Sequence, residues 1–111
     1  MSEQVIEELK AMAHPLRLRI LEVLSEGERN VGQIEEVARI GQPALSQQLS
    51  VLRKAGLVQT RKEAKLVYYR LGVEQVKELA KVVSDLVPDN AAASSAGRKA
   101  APGAANFARL S

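Results

Sequence analysis

The chain has 111 residues, no cysteine and a net charge of +3. Aromatic residues make up only 3% of it, so aliphatic side chains must form the core, which favours packed helices over a large β fold. The absence of cysteine excludes disulfides, thiolate metal sites and thiol redox switches. The N-terminal glutamates exclude a secretory signal, and no uncharged apolar run reaches the roughly 20 residues of a membrane span, so we expect a soluble, cytoplasmic protein.

The first two predicted helices meet at a proline. The first has an apolar stripe at helical spacing: Val5, Ile6, Leu9, Met12 and Ala13. Ser2 is a plausible start, and the helix should break at His14 because a residue before proline disfavours helical angles. Pro15 suits the first turn of a second helix that runs to Leu24, with Gly27 as its left-handed cap.

The third and fourth helices are short and separated by a tight turn. Asn30 and Gln33 have the spacing of a capping box at the start of the third. The buried side of the third helix is predicted to be Ile34, Val37 and Ala38. Pro43 opens the fourth helix, which ends at Ala55-Gly56. The inner face of the fourth helix is predicted to be Leu45, Leu49 and Leu52.

Residues 57–71 alternate between apolar and polar positions, which predicts a β-hairpin with a charged tip from Lys62 to Lys65. The last predicted helix ends at Pro88 and has a long apolar stripe: Val73, Val76, Leu79, Ala80, Val83, Leu86 and Val87. Ala, Gly, Ser and Pro dominate from Asp89 onward, so residues 89–111 are predicted to be a disordered tail after a single domain of residues 1–88.

Charge and polarity indicate a nucleic-acid partner. Residues 1–36 contain four basic residues against eight Glu, whereas residues 53–70 contain six against Glu63 alone. This indicates an anionic partner, although a solvated basic surface is the alternative. The outer face of the fourth helix carries short uncharged groups that can reach base edges: Gln42, Ser46, Gln47 and Ser50. Together these features predict a mainly α protein with a small β-hairpin, in the order of a winged helix-turn-helix.

The stretches "AMAHPLRLRILEVL", "IGQPALSQQLSVLRKAGLV" and "RKEAKLVYYRL" resemble the ArsR/SmtB family of bacterial winged-helix regulators. The resemblance covers residues 5–87 and implies a symmetric dimer that represses transcription by covering operator DNA, until an inducer weakens binding. The base-reading positions would be Gln42, Ser46 and Gln47. Contacts to the DNA backbone would come from Gln48, Ser50, Arg53, Lys54, Arg61, Lys62, Lys65 and Arg70. The first and last helices would form the dimer interface, through Val5, Ile6, Leu9, Met12, Val76, Leu79, Val83 and Leu86.

The sequence departs from this family at two kinds of position. Gly41 stands where many members have a capping serine, so Pro43 is expected to start the fourth helix instead. This helix carries the base-reading positions and is called the reading helix. The family's metal ligands are cysteines on the third helix or paired Asp and His on the last, whereas here the third helix has no cysteine and the last has no histidine. No cofactor is therefore expected to be required. His14 with a nearby carboxylate (Glu7, Glu8 or Asp85) is the remaining candidate for nickel or zinc, beside a structural role at the helix junction.

Three classes of function can be compared on these residues. An enzyme would need a nucleophile–base pair, a metal cluster or a phosphate-cradling glycine loop, and the sequence offers none of these. A winged-helix module that binds protein would present an acidic or apolar face in place of the Gln and Ser groups. A DNA-binding transcriptional regulator is the favoured interpretation, with control by an effector or by a partner protein left open.

Overall fold

The computed structural model describes residues 2–89, so the predicted tail from Asn90 onward lies outside the described residues. Within this range the chain forms five helices and three short strands, which confirms the predicted mainly α fold with a hairpin. They are α1 (Glu3–Met12), α2 (Pro15–Leu24), β1 (Arg29–Asn30), α3 (Val31–Ala38), α4 (Ala44–Lys54), β2 (Val58–Glu63), β3 (Leu66–Leu71) and α5 (Val73–Ser84). The chain divides within α5 into two compact units, and the first, which ends at Leu79, contains the sheet and the core.

The helix starts follow local hydrogen-bonding signals. The Ser2 hydroxyl accepts a hydrogen bond from the backbone N–H of Val5 at 3.2 Å. At the start of α3, the Asn30 side chain accepts from the Gln33 N–H, and the Gln33 side chain accepts from the Asn30 N–H, both at 2.9 Å. These bonds satisfy N–H groups that have no partner within the helix. The predicted cap and capping box are therefore confirmed.

The junction between α1 and α2 is built around His14. Its Nδ1 atom accepts a hydrogen bond from the Leu16 N–H at 3.1 Å, and Pro15 occupies the first turn of α2. The position of His14 at the N-cap of α2 agrees with a structural role at the helix junction. Within residues 2–89, no group of three or more His, Asp or Glu side chains is arranged to hold a metal ion.

The core lies between the helices and one face of the sheet. Its fully buried side chains are Ile20, Ile34, Leu45, Leu49, Leu52, Leu57 and Val58. One predicted core position is wrong. Val37 is exposed, because the eight-residue α3 buries only the line of Ile34 and Ala38. On α1, Ile6, which was predicted for the dimer interface, is exposed, while Glu8 is only 3% exposed and accepts a hydrogen bond from the Gln4 side chain at 3.0 Å.

The hairpin pairs β2 with β3, and a third strand extends the sheet. The antiparallel register places Val58 opposite Leu71 and Glu63 opposite Leu66, so the turn contains only two residues, Ala64 and Lys65. The charged tip is thus shorter than predicted, because Lys62 and Glu63 belong to β2. Strand β1 was not predicted, since two residues inside a capping box carry no alternating pattern. It pairs with β3, which is the central strand.

The last helix ends at Ser84, four residues before the predicted end at Pro88. Leu79 is 2% exposed and belongs to the core of its own chain, so almost no surface of this predicted interface residue remains for a second subunit. Four other predicted interface residues are partly buried against the same core: Val5, Leu9, Met12 and Val76. The exposed members of the set are Ile6, Val83 and Leu86. Between residues 2 and 89, no helix is both long and apolar enough to cross a membrane.

Two glycines bring the end of α4 close to the start of α5. Gly56 has a φ of +84°, which side chains rarely tolerate. The Gly72 N–H donates a hydrogen bond to the Leu57 carbonyl at 2.7 Å, and a Cβ atom added to Gly72 would lie 2.6 Å from the Gly56 carbonyl oxygen. Only a glycine at position 72 allows this close approach of the two backbones.

Candidate nucleic-acid interface

The start of α4 is capped by a side chain that precedes it. Gln42 Oε1 accepts hydrogen bonds from the Ser46 N–H at 3.2 Å and from the Ser46 hydroxyl at 2.6 Å. Pro43 holds the N-cap position without a side-chain hydrogen bond. The expectation that Pro43 replaces the missing serine is therefore incomplete, because Gln42 supplies the cap. The Gln42 amide group keeps its N–H donors for other partners.

The outer face of α4 is uncharged along most of its length. Its leucines are buried, and the short polar side chains predicted to face outward are all exposed: Gln42, Ser46, Gln47 and Ser50. These groups offer donors and acceptors rather than net charge, which is the chemistry that distinguishes base edges. Their exposure agrees with the prediction, and their contact with DNA remains a prediction.

A groove of about 350 Å³ separates α4 from the hairpin, and we call it the hairpin-side groove. It is lined by Ser46, Leu49, Ser50, Arg53, Lys54 and Tyr69. Tyr69 is half-buried, with part of its ring against the core. The sequence did not identify Tyr69 as a site residue. The alternating pattern of a strand predicts the face of the sheet on which a side chain lies, but not which helix lies next to it.

Gln48 is turned away from the outer face of α4. Its Oε1 atom accepts a hydrogen bond from Arg17 Nη1 at 3.0 Å, and Arg17 Nε donates to the Ala11 carbonyl at 2.6 Å. Gln48 is half-buried in this arrangement. Gln48 therefore lies apart from the other predicted contacts on α4, and its predicted contact to the DNA backbone stays a prediction. The sequence did not reveal its hydrogen bond from Arg17.

Arg61 is held by acidic partners rather than left free. Its Nε and Nη2 atoms donate to the Glu28 carboxylate at 2.8 and 2.7 Å, Nη1 donates to Glu63 at 3.0 Å, and the guanidinium lies 4.7 Å from the Tyr68 ring centre. The hydrogen bond from Arg61 lowers the pKa of Glu28 below its ordinary 4.5. The ion pair of Glu28 and Arg61 therefore stabilises the fold fully at pH values above the ordinary pKa of Glu28. This contribution is lost as the pH falls through the lower pKa that Glu28 has in the folded state.

The remaining basic residues of the predicted interface are exposed. Arg70 Nε donates to the Gln59 side chain at 3.0 Å. In the part of the chain that the structure describes, no salt bridge involves Arg53, Lys54, Lys62 or Lys65. Of the six predicted cations, only Arg61 has an acidic partner within the described residues, and it attaches the hairpin to the loop before β1.

This difference predicts unequal effects of two neighbouring substitutions. Lys62→Gln should lower the slope of log affinity against log salt concentration by about 0.9 for each subunit bound, because each subunit loses one phosphate contact. Arg61→Gln should change that slope much less, since Glu28 and Glu63 already neutralise the guanidinium. Fluorescence anisotropy over a salt series measures both slopes. Equal changes for the two variants would show that Arg61 leaves its carboxylates to contact DNA.

Comparison with known proteins shows that this chain is similar to bacterial transcriptional regulators of one family. A family model described as "Bacterial regulatory protein, arsR family" matches residues 14–60. The biofilm growth-associated repressor of Xylella fastidiosa is 45% identical over 78 residues, which are 70% of this chain and 68% of that protein. The transcriptional activator HlyU of Vibrio cholerae is 42% identical over 85 residues, covering 77% of this chain and 79% of its own.

Solved structures agree with this grouping. The transcriptional repressor BigR from Xylella fastidiosa matches with a TM-score of 0.61 and 40% identity, over 76% of this chain and 87% of that one. The homodimeric winged helix-turn-helix DNA-binding domain from Mycobacterium bovis, solved by NMR, matches with a TM-score of 0.63 and 36% identity, over 75% of this chain and 80% of that one.

Proposed function

This chain belongs to the arsR family of bacterial regulatory proteins and is a DNA-binding transcriptional regulator, and from this premise we propose that it binds a pseudo-palindromic operator as a homodimer. The observation that carries the proposal is the exposed, uncharged outer face of α4, beside four basic side chains that have no acidic partner within residues 2–89. Short polar groups read bases, and neighbouring cations hold phosphates.

Base reading is assigned to Gln42, Ser46 and Gln47. The major groove is about 12 Å wide, which accommodates a helix with its side chains. Gln47 has both amide functions free to pair with an adenine edge. Because the Ser46 hydroxyl and N–H occupy the Gln42 carbonyl oxygen, Gln42 presents its N–H donors, which suit the acceptors of guanine or thymine.

Contacts to the DNA backbone are assigned to Arg53 and Lys54 at the end of α4 and to Lys62 and Lys65 on the hairpin. Ser50 lies in the hairpin-side groove with the first two, where its hydroxyl can donate to a phosphate. Such contacts hold the protein in register and make its affinity fall with salt.

The dimer is proposed from apolar side chains that remain exposed on α1, on α5 and just after α5: Ile6, Val73, Val83 and Leu86. A related domain of known structure is homodimeric, which supports the same state here. Two copies of α4 would then enter successive major grooves, about 34 Å apart.

Repression is proposed as the direct consequence of covering a promoter, since a dimer across two successive major grooves excludes other proteins from that DNA. One close relative is named a repressor and another an activator, so the regulatory sign needs its own test. Transcription from a template that carries the selected operator across its promoter should fall as the protein is added. A rise would establish activation.

The central test needs a DNA duplex that the protein binds specifically. The purified protein is used to select this duplex from a library of random sequences. Gln47→Ala should remove discrimination of about 1–3 kcal/mol at one base pair of each half-site. Lys62→Ala should instead weaken the selected and a shuffled duplex by the same factor, because a phosphate contact carries no sequence information. Fluorescence anisotropy on both duplexes measures these effects.

Two outcomes would contradict the proposal at different levels. If the library yields no enriched sequence, or if salt leaves the binding unchanged, the protein is not the DNA reader described here. If the wild type binds its selected duplex but both variants lose equal affinity on both duplexes, the assignment of roles within the interface is wrong.

A further inference from the structure

A second groove borders α4 on the side away from the hairpin. It has a volume of about 380 Å³, lies between α4 and α1, and is called here the α1-side groove. Three basic side chains line it, with one carboxylate: Lys10, Arg17, Lys54 and Glu7. Neither α1 nor α2 contributes to the interface assigned above, so Lys10 and Arg17 have no role in it.

The walls of this groove are held by hydrogen bonds between helices. The Gln4 side-chain amide donates to the Ala55 carbonyl at 3.2 Å, which ties α1 to the end of α4. Arg17 bonds to the Ala11 carbonyl at the end of α1 and to Gln48 on α4. Arg17 is thus positioned before any ligand arrives, which lowers the entropic cost of its binding.

The two grooves lie on either side of the outer face of α4, which carries the proposed base-reading side chains. Lys54 lines both grooves, and Ser46 and Ser50 line only the hairpin-side groove. Val51 lines only the α1-side groove. Gln47 precedes Lys54 by seven residues, about two helical turns, so both lie on one line of the helix. That line runs between the two grooves.

Bound DNA has the same two-sided arrangement. A helix with its side chains is about 10–12 Å across and fills a major groove about 12 Å wide, so a phosphate strand passes along each side of it. One strand would face the hairpin-side groove, and the other would face the α1-side groove. We propose that the α1-side groove binds backbone phosphates through Lys10, Arg17 and Lys54. This inference rests on the proposed function and makes α1 part of the DNA-binding surface.

Glu7 is the only negatively charged side chain that lines the α1-side groove, so it repels a bound phosphate. Its carboxylate lies 3.6 Å from Lys10 Nζ, in an exposed pair of the kind that stabilises proteins little. A phosphate can therefore replace Glu7 as the partner of Lys10 without a large loss. Removing the carboxylate should strengthen DNA binding, whereas removing Lys10 should weaken it.

The chain contains a closely matched control pair. Lys77 on α5 lies 3.7 Å from Glu74, also three residues earlier, and its side chain is 70% exposed against 71% for Lys10. Lys77 does not line either groove. Substitution of Lys77 changes the net charge by the same amount as substitution of Lys10, so it controls for the long-range field of the protein.

The test uses the full chain and the duplex selected by it. Lys10→Gln should weaken binding about three- to tenfold at low salt and lower the slope of log affinity against log salt by about 0.9 for each subunit bound. Lys77→Gln should leave that slope unchanged. Glu7→Gln should tighten binding several-fold, and Glu74→Gln should not. Thermal unfolding of each variant verifies that these exposed substitutions keep the fold.

Three results separate the proposals. Equal slopes for Lys10→Gln and Lys77→Gln, with salt-dependent binding by the wild type, would overturn the α1-side contact and leave the proposed function standing. Absence of salt-dependent binding by the wild type would overturn both. Titration with inorganic phosphate alone tests whether the groove binds a free anion in place of DNA. If Lys10→Gln loses phosphate binding but keeps the salt slope of DNA binding, the groove binds a small ligand and the proposed DNA contact is overturned.

Discussion

Replacing Val83 with glutamate is expected to convert the protein to a monomer and to reduce its affinity for a two-half-site operator by about 100-fold or more. Val83 is an apolar residue on α5 with 51% of its surface exposed. In the proposed dimer this surface is covered, so a carboxylate there would be buried without a partner. The two half-sites would then be bound independently, and the gain from binding them together would be lost.

Lys81→Glu is the matched control. Lys81 lies two residues earlier on α5, so its side chain points to a different face, and it forms an exposed pair with Asp85 at 3.4 Å. Light scattering should show a dimer for this variant and a monomer for Val83→Glu. Anisotropy on duplexes with one and two half-sites should show equal affinities only for the monomer. A dimeric Val83→Glu variant with full affinity would rule out this part of α5 as the interface.

Leu79→Glu, on the same apolar stripe, is expected to unfold the chain instead of separating two subunits. Leu79 is 2% exposed within its own chain and packs in the core. An unpaired carboxylate there loses apolar burial and adds a desolvation cost, together more than about 4 kcal/mol. That is comparable to the whole stability of a small domain. Leu79→Ala should cost about 2–5 kcal/mol and leave a folded protein.

Urea denaturation followed by circular dichroism measures both Leu79 variants. The free energy of unfolding should be determined at several protein concentrations, because dimerisation itself adds stability. Val83→Glu provides the contrast, since it should retain helical content as a monomer. A folded, monomeric Leu79→Glu variant would contradict the burial described above and return this residue to the subunit interface.

The pair of Leu79 and Val83 shows how far the sequence determines this helix. The stripe at helical spacing correctly predicts which face of α5 is apolar. It does not separate the residue that the chain itself buries from the residue that it leaves exposed. That distinction depends on where α5 lies against the other elements, which is a property of tertiary packing and not of periodicity.

Local signals were predictable because both partners lie close in sequence. The Asn30 and Gln33 capping box joins residues three apart, and the Ser2 cap does the same. By contrast, the Glu28 partner of Arg61 and the Gln48 partner of Arg17 are 33 and 31 residues away. A count of basic residues therefore placed Arg61 among the DNA contacts and left Arg17 without a role, although the structure gives each of them a defined partner.

The two glycines that join α4 to α5 also bear on the operator itself. Because the Leu57 carbonyl receives the Gly72 N–H at 2.7 Å, the reading helix ends directly against the start of the helix that carries the proposed dimer residues. A junction this short leaves little room for one helix to swing relative to the other. If two subunits pair through α5, this junction would help to set the distance between their reading helices, and we expect an operator lengthened by one base pair to bind less tightly, because the dimer must accommodate the added rise and rotation of the DNA.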